Sequence, residues 1–197
     1  MLRLNALRAR ILYLAGSFEG ALLLLAMLLG WLFDFPLASL TQPTLQGTWQ
    51  GLLATLPMLL LLLATTHLPV GPLRRIREIL EETFLPLFRE SRFPDLVLVT
   101  LLAGLGEEWL FRGILQAGLS WWMNPWLAVA LASVLFGLAH AITPTYAVLA
   151  GLIGVYFGAI FLITGDLYVV VFAHAVYDLI ALEYLLRVLP VRQGPSA

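Results

Sequence analysis

The chain has 197 residues, 61% hydrophobic and only 12% charged, with a formal net charge of −1. A soluble domain carries roughly 25% charged residues, so the composition points to an integral membrane protein. All eleven basic residues are arginine, and against twelve acidic residues they leave no basic excess to support nucleic-acid binding; the absence of cysteine excludes disulfide and thiolate chemistry.

Apolar runs predict about six transmembrane helices. The first covers about residues 11–35, and the second about 49–68. The first exceeds the usual apolar region of a signal peptide and has no convincing cleavage site, so it is read as a retained helix. Residues 71–93, GPLRRIREILEETFLPLFRESRF, form neither a loop nor a span. Leu73, Ile76, Leu80, Phe84, Leu87 and Phe88 recur at helical spacing among Arg and Glu. This predicts an amphipathic helix at about 72–92 in the interface plane, broken near Pro86, with packing on the bundle ends as the alternative.

The third helix runs from about 94 to 119 and contains GEEWLFRG. The fourth, fifth and sixth cover about 125–142, 146–163 and 168–189. Each approaches the length needed to cross about 30 Å of hydrocarbon, the fourth and fifth being short. The expected fold is therefore an all-α polytopic bundle, one domain over 1–197, with a core at about 94–189. Arg3, Arg8 and Arg10 precede the first helix, Arg74, Arg75, Arg77, Arg89 and Arg92 follow the second, and Arg187 and Arg192 end the sixth. Six spans place these ten on one side, which the positive-inside rule makes cytoplasmic with both termini.

Arg112, the eleventh, lies inside the third helix. A charge in the hydrocarbon core costs several kcal/mol, so it needs a partner or a use. Glu108 and Arg112 are four apart and share a helix face. Glu107 points about 100° away, free to face another helix. Gly106 and Gly113 let neighbouring helices approach. Taken alone, this stretch fits a buried lock between helices as well as it fits an active site.

Two further motifs tilt that balance. The fourth helix ends in FGLAH, placing Phe136 beside His140, and the sixth contains HAVYD, placing His174 above Asp178. Such a set is hard to explain as packing and suits the addition of water to a carbonyl. A carboxylate in an apolar cavity can act as a general base, with one histidine orienting the water and another donating to the oxyanion. Ser133 shares a face with His140 and is the weak alternative nucleophile. Glu107, His140 and His174 also suit zinc; water activated by Glu107 directly is preferred over a metal. Glu19 either lines this cavity or, the preferred reading, bonds to a neighbouring helix. His67 reads as structural, as does the pair Glu183 and Arg187.

In this order, GEEWLFRG, FGLAH and HAVYD resemble the motifs EExxxR, FxxxH and Hxxx(N/D/S) of the CAAX prenyl protease and bacteriocin-processing (Abi or CPBP) family of intramembrane proteases. The matched region is about 94–189. The resemblance implies that Glu107 and His140 activate water, that His174 and Asp178 form the oxyanion side, and that Glu108, Arg112 and Phe136 support them. Many members carry asparagine where this chain has Asp178. The implied substrate is a membrane-associated protein or peptide, in a prokaryotic inner or plasma membrane. A proton- or ion-coupled transporter, or a non-catalytic scaffold or immunity protein, are the alternatives.

Overall fold

A computed structural model describes residues 2–68 and 70–189, with the backbone alone for 2–7. Arg192 and the side chain of Arg3 lie outside the described residues. The fold is all helical: α1 (Leu2–Leu32), a short α2 (Leu37–Leu40), α3 (Leu45–His67), α4 (Gly71–Ile79), α5 (Leu85–Phe88), α6 (Phe93–Glu108), α7 (Ala117–Ser120), α8 (Pro125–Ala139), α9 (Pro144–Thr164) and α10 (Leu167–Val188). Two π-helical turns, Leu80–Phe84 and Trp109–Gln116, join α4 to α5 and α6 to α7.

Helix ends follow local chemistry. Thr44, Asn124, Thr143 and Asp166 cap α3, α8, α9 and α10, each side chain accepting a backbone N–H of the first turn. This satisfies donors that hydrocarbon leaves stranded. Proline opens α8 and α9, where its missing N–H costs nothing. Gly165 ends α9 with φ 66°, in the left-handed region that a side chain disfavours.

Among the described residues, four helical stretches are long and apolar enough to cross a membrane: Arg8–Leu32, Leu45–His67, Pro144–Thr164 and Leu167–Val188. Helix α8 has 15 residues, a length of about 22 Å and short of the hydrocarbon thickness. The third expected span is not one α-helix. It is α6, eight π-helical residues and α7 in succession. Short α2, packed through buried Leu37, was not foreseen.

Helix α10 is the centre of the bundle. Leu167, Val169, Val170 and Ala173 have no exposed surface, and α3, α6 and α9 pack around it. The contact with α6 is close because Gly104 has no side chain. A Cβ there would stand 3.0 Å from the Val171 carbonyl and the Ala175 nitrogen. Small residues of this kind let membrane helices reach backbone-to-backbone distance.

The amphipathic segment is helical, and its apolar side turns inward. Ile76, Ile79 and Leu85 are buried, and Leu85 joins a cluster with Leu62, Ala181 and Leu185. Arg77 holds it down, donating to Glu81 at 2.7 Å and to the Thr66 carbonyl at 2.9 Å. The expected break at Pro86 does not occur. The π turn before it widens the helix, with the Leu85 N–H bonded to the Leu80 carbonyl. A proline just past such a turn forfeits one donor without ending the helix.

Candidate functional site

Several titratable residues of the bundle border a cavity of about 460 Å³. Its walls are mostly Leu, Phe and Ile from α1, α3, α5, α6, α8, α9 and α10 and from the π turn Leu80–Phe84. Into it turn Glu19, Glu107, His140, His174 and Asp178.

Glu107 and Glu108 occupy the last two positions of α6, just before the π turn. Both are buried, with 7% and 0% exposure. Their surroundings differ completely. Glu108 faces Arg112, with Arg112 Nε 3.1 Å from Oε2 and a second guanidinium nitrogen 3.2 Å from Oε1. It also accepts from His174 Nδ1 at 2.7 Å. Glu107 Oε2 has no hydrogen-bond partner among the described residues, and His140 Nε2 lies 3.6 Å from it.

Arg112 is held on every side. It donates to the Gly154 carbonyl of α9 at 3.2 Å. Its guanidinium carbon lies 4.5 Å from the centre of the Phe136 ring. One π turn further, Gln116 donates to the Gly158 carbonyl at 2.9 Å. The π-helical stretch thus lays two side chains along α9. Such turns recur at functional sites and carry no sequence signature that apolar periodicity detects.

His140 is the C-cap of α8, so the helix ends at the residue that bears the imidazole. Its Nδ1 lies 2.8 Å from the Phe136 carbonyl. A carbonyl only accepts, so Nδ1 carries the hydrogen and Nε2 is left to face Glu107. The Phe136 ring lies 4.3 Å from the imidazole centre and fixes its tilt.

His174, on α10, lies between two carboxylates. Nδ1 meets Glu108, and Nε2 stands 3.3 Å from Asp178 Oδ2. Phe157 stacks on the ring at 5.5 Å and 19°. Phe157, Tyr146 and Tyr177 also line the cavity. These three were not singled out in the sequence, where an aromatic in an apolar helix reads as packing.

Other candidates fall into place by geometry. Ser133 donates to the Val129 carbonyl at 2.6 Å within α8 and is buried outside the cavity wall. His67 Nε2 lies 2.6 Å from the Tyr184 hydroxyl. Arg187 and Glu183 pair at 2.5 Å. Glu19 departs from the preferred expectation. It lines the cavity, and its Oε2 has no hydrogen-bond partner among the described residues. Gly106 admits a neighbouring helix, α1, as expected. Gly113 meets side chains of Leu37 and of Leu167 at the start of α10, and the close backbone approach of α10, the helix carrying His174, is made at Gly104.

The donor set does not fit a three-ligand zinc site. Ligands on one zinc ion lie about 2.0 Å from it, and the Glu107–His140 separation suits two of them. His174 has both ring nitrogens turned to carboxylates. Among the described residues, no group of three or more His, Asp or Glu converges to hold a metal.

Residues 89–180 match the model of the family described as Rce1-like, type II CAAX prenyl endopeptidase Rce1-like. That stretch is a CAAX protease-like (Abi) domain, consistent with an intramembrane protease, and it contains all three motifs. No curated protein and no solved structure matches the chain.

Proposed function

We propose, from the CAAX protease-like domain of residues 89–180, that this protein is an intramembrane endopeptidase acting on a membrane-associated protein or peptide. The observation that carries the reading is the pair formed by Glu107 and His140. They come from different helices and face each other across 3.6 Å on the wall of an apolar cavity. That separation is too long for a direct hydrogen bond and suits a shared water.

The water gives one hydrogen bond to the Glu107 carboxylate and the other to His140 Nε2. Its oxygen attacks the scissile carbonyl carbon as Glu107 takes the proton. The carbonyl oxygen becomes an oxyanion on the side of His174, whose Nε2–H is shared between Asp178 and the cavity. Collapse of the intermediate breaks the C–N bond, and the proton held by Glu107 passes to the leaving amine. Glu108 orients His174 from Nδ1, and Arg112 balances Glu108. Phe136 holds both Arg112 and His140 in place. Asp178 beside an oxyanion is tolerable because its carboxylate is directed at His174 Nε2. No step needs a metal.

Six spans with both termini in the cytoplasm accommodate the arginine distribution, α6 through α7 and α8 being the two additional crossings. In this reading the protein resides in a prokaryotic inner or plasma membrane.

The test is cleavage of a pool of membrane-associated peptides by purified protein in proteoliposomes. Wild type is expected to cleave and Glu107→Ala to be inactive. Cleavage undiminished in that variant would overturn the mechanism.

A further inference from the structure

Glu19 lies in α1, outside residues 89–180, yet it faces the same cavity as Glu107. Its place there follows from two contacts between α1 and α6. Arg8 grips Asp95 with two hydrogen bonds, 2.5 Å and 2.7 Å. Eleven residues along each helix, Gly106 admits α1 so closely that a Cβ would stand 3.0 Å from the Glu19 carbonyl. Eleven residues are about three turns, so both contacts lie on one face of each helix. The helices run parallel in a locked register, and Glu19 is held beside Glu107.

A carboxylate in such a place is costly unless something pairs with it. Glu19 Oε2 is buried and has no hydrogen-bond partner among the described residues. The site is also short of positive charge. Glu19, Glu107, Glu108 and Asp178 share one guanidinium, Arg112, and two imidazoles. With the carboxylates ionised, negative charge remains even when both histidines are protonated. Glu19 shares the cavity wall with Glu107, Asp178 and both histidines.

We propose that Glu19 receives a cationic side chain of the substrate, a lysine or arginine at one fixed position near the scissile bond. The apolar walls take the flanking residues, and Glu19 supplies the cavity carboxylate that the hydrolytic step leaves unused. Glu19 is thus a specificity residue contributed by the part of the chain outside the matched domain. The inference rests on the protease reading for its consequence, and on the cavity alone for its binding chemistry.

Two arms test it. In the first, synthetic apolar peptides carrying Lys, Gln or Glu at successive positions are reconstituted with the protein in proteoliposomes, and products are read by mass spectrometry. At one position lysine is expected to be preferred over glutamine by roughly tenfold or more. Glu19→Gln should abolish the preference, and Glu19→Lys should transfer it to glutamate. A lysine preference at no position, or one retained in Glu19→Gln, overturns the inference.

If wild type cleaves no peptide, the protease reading fails and the second arm decides. Thermal unfolding is measured with dodecylamine and with dodecanol. The amine is expected to stabilise wild type more than the alcohol, and Glu19→Gln to erase the difference. Equal shifts with the two probes in wild type, or a difference kept in the variant, overturn it.

Discussion

Glu108 is bonded to His174, with 2.7 Å between carboxylate oxygen and ring nitrogen, while its neighbour Glu107 has no hydrogen bond to any described residue at Oε2. Adjacent glutamates therefore have separable consequences when changed. Glu108→Ala leaves both Arg112 and His174 buried without their carboxylate. Removing one partner of a buried charge pair costs about 3–5 kcal/mol. A clear loss of thermal stability in detergent is the expected outcome, with loss of activity following from misplacement of His174.

Glu107→Ala is predicted to behave in the opposite way. Activity should fall by roughly 100- to 10,000-fold, the range for a lost general base. The unfolding temperature should stay at or above that of wild type, because no hydrogen bond at Oε2 is broken and a buried carboxylate is removed. A destabilised Glu107→Ala protein would assign the residue a structural role.

Gly106→Ala tests the α1 register. The new methyl meets backbone atoms of α1, the Glu19 carbonyl at 3.0 Å and the Leu23 nitrogen at 3.2 Å. Backbone yields less than a side-chain tip, so a cost of about 1–3 kcal/mol is expected. Gly71→Ala has nothing within 4 Å and is the control that should leave stability near wild type. Hydrogen exchange along α1 should quicken in Gly106→Ala and not in the control.

Chelation is predicted to leave cleavage unchanged, and purified active protein to contain far less than one metal per chain. The reason is geometric: His174 turns both nitrogens to carboxylates, and Glu107 and His140 alone make two ligands. Stoichiometric zinc whose removal stops cleavage would require His174 to leave Glu108.

Ser133→Ala should retain full activity. Its hydroxyl is committed to the Val129 carbonyl, outside the cavity wall, and its loss should cost about 1 kcal/mol or less. Inactivity with unchanged stability would revive the serine alternative.

What the sequence determined by itself is the material carried by period and rarity. Long apolar runs have few outcomes, because an unpaired backbone in lipid is too costly, so a polytopic helical bundle was legible from composition. Charges inside such runs are conspicuous, which marked Glu107, Glu108, Arg112, His174 and Asp178. The i, i+4 spacing of Glu108 and Arg112 also pointed to their pairing, since it depends on one helix alone.

Only the tertiary structure decided which helix meets which. The π turn at Trp109–Gln116 rotates everything after Glu108, and its packing against α1 and α8 is something no local periodicity records. The second partner of Glu108 is 66 residues away in the chain. Glu19 looked like a helix-packing residue until the register of α1 on α6 turned it into the cavity. That register depends on Arg8 meeting Asp95 and on Gly106 lacking a side chain. Both conditions are visible as letters, but they acquire meaning only when two helices distant in sequence lie side by side.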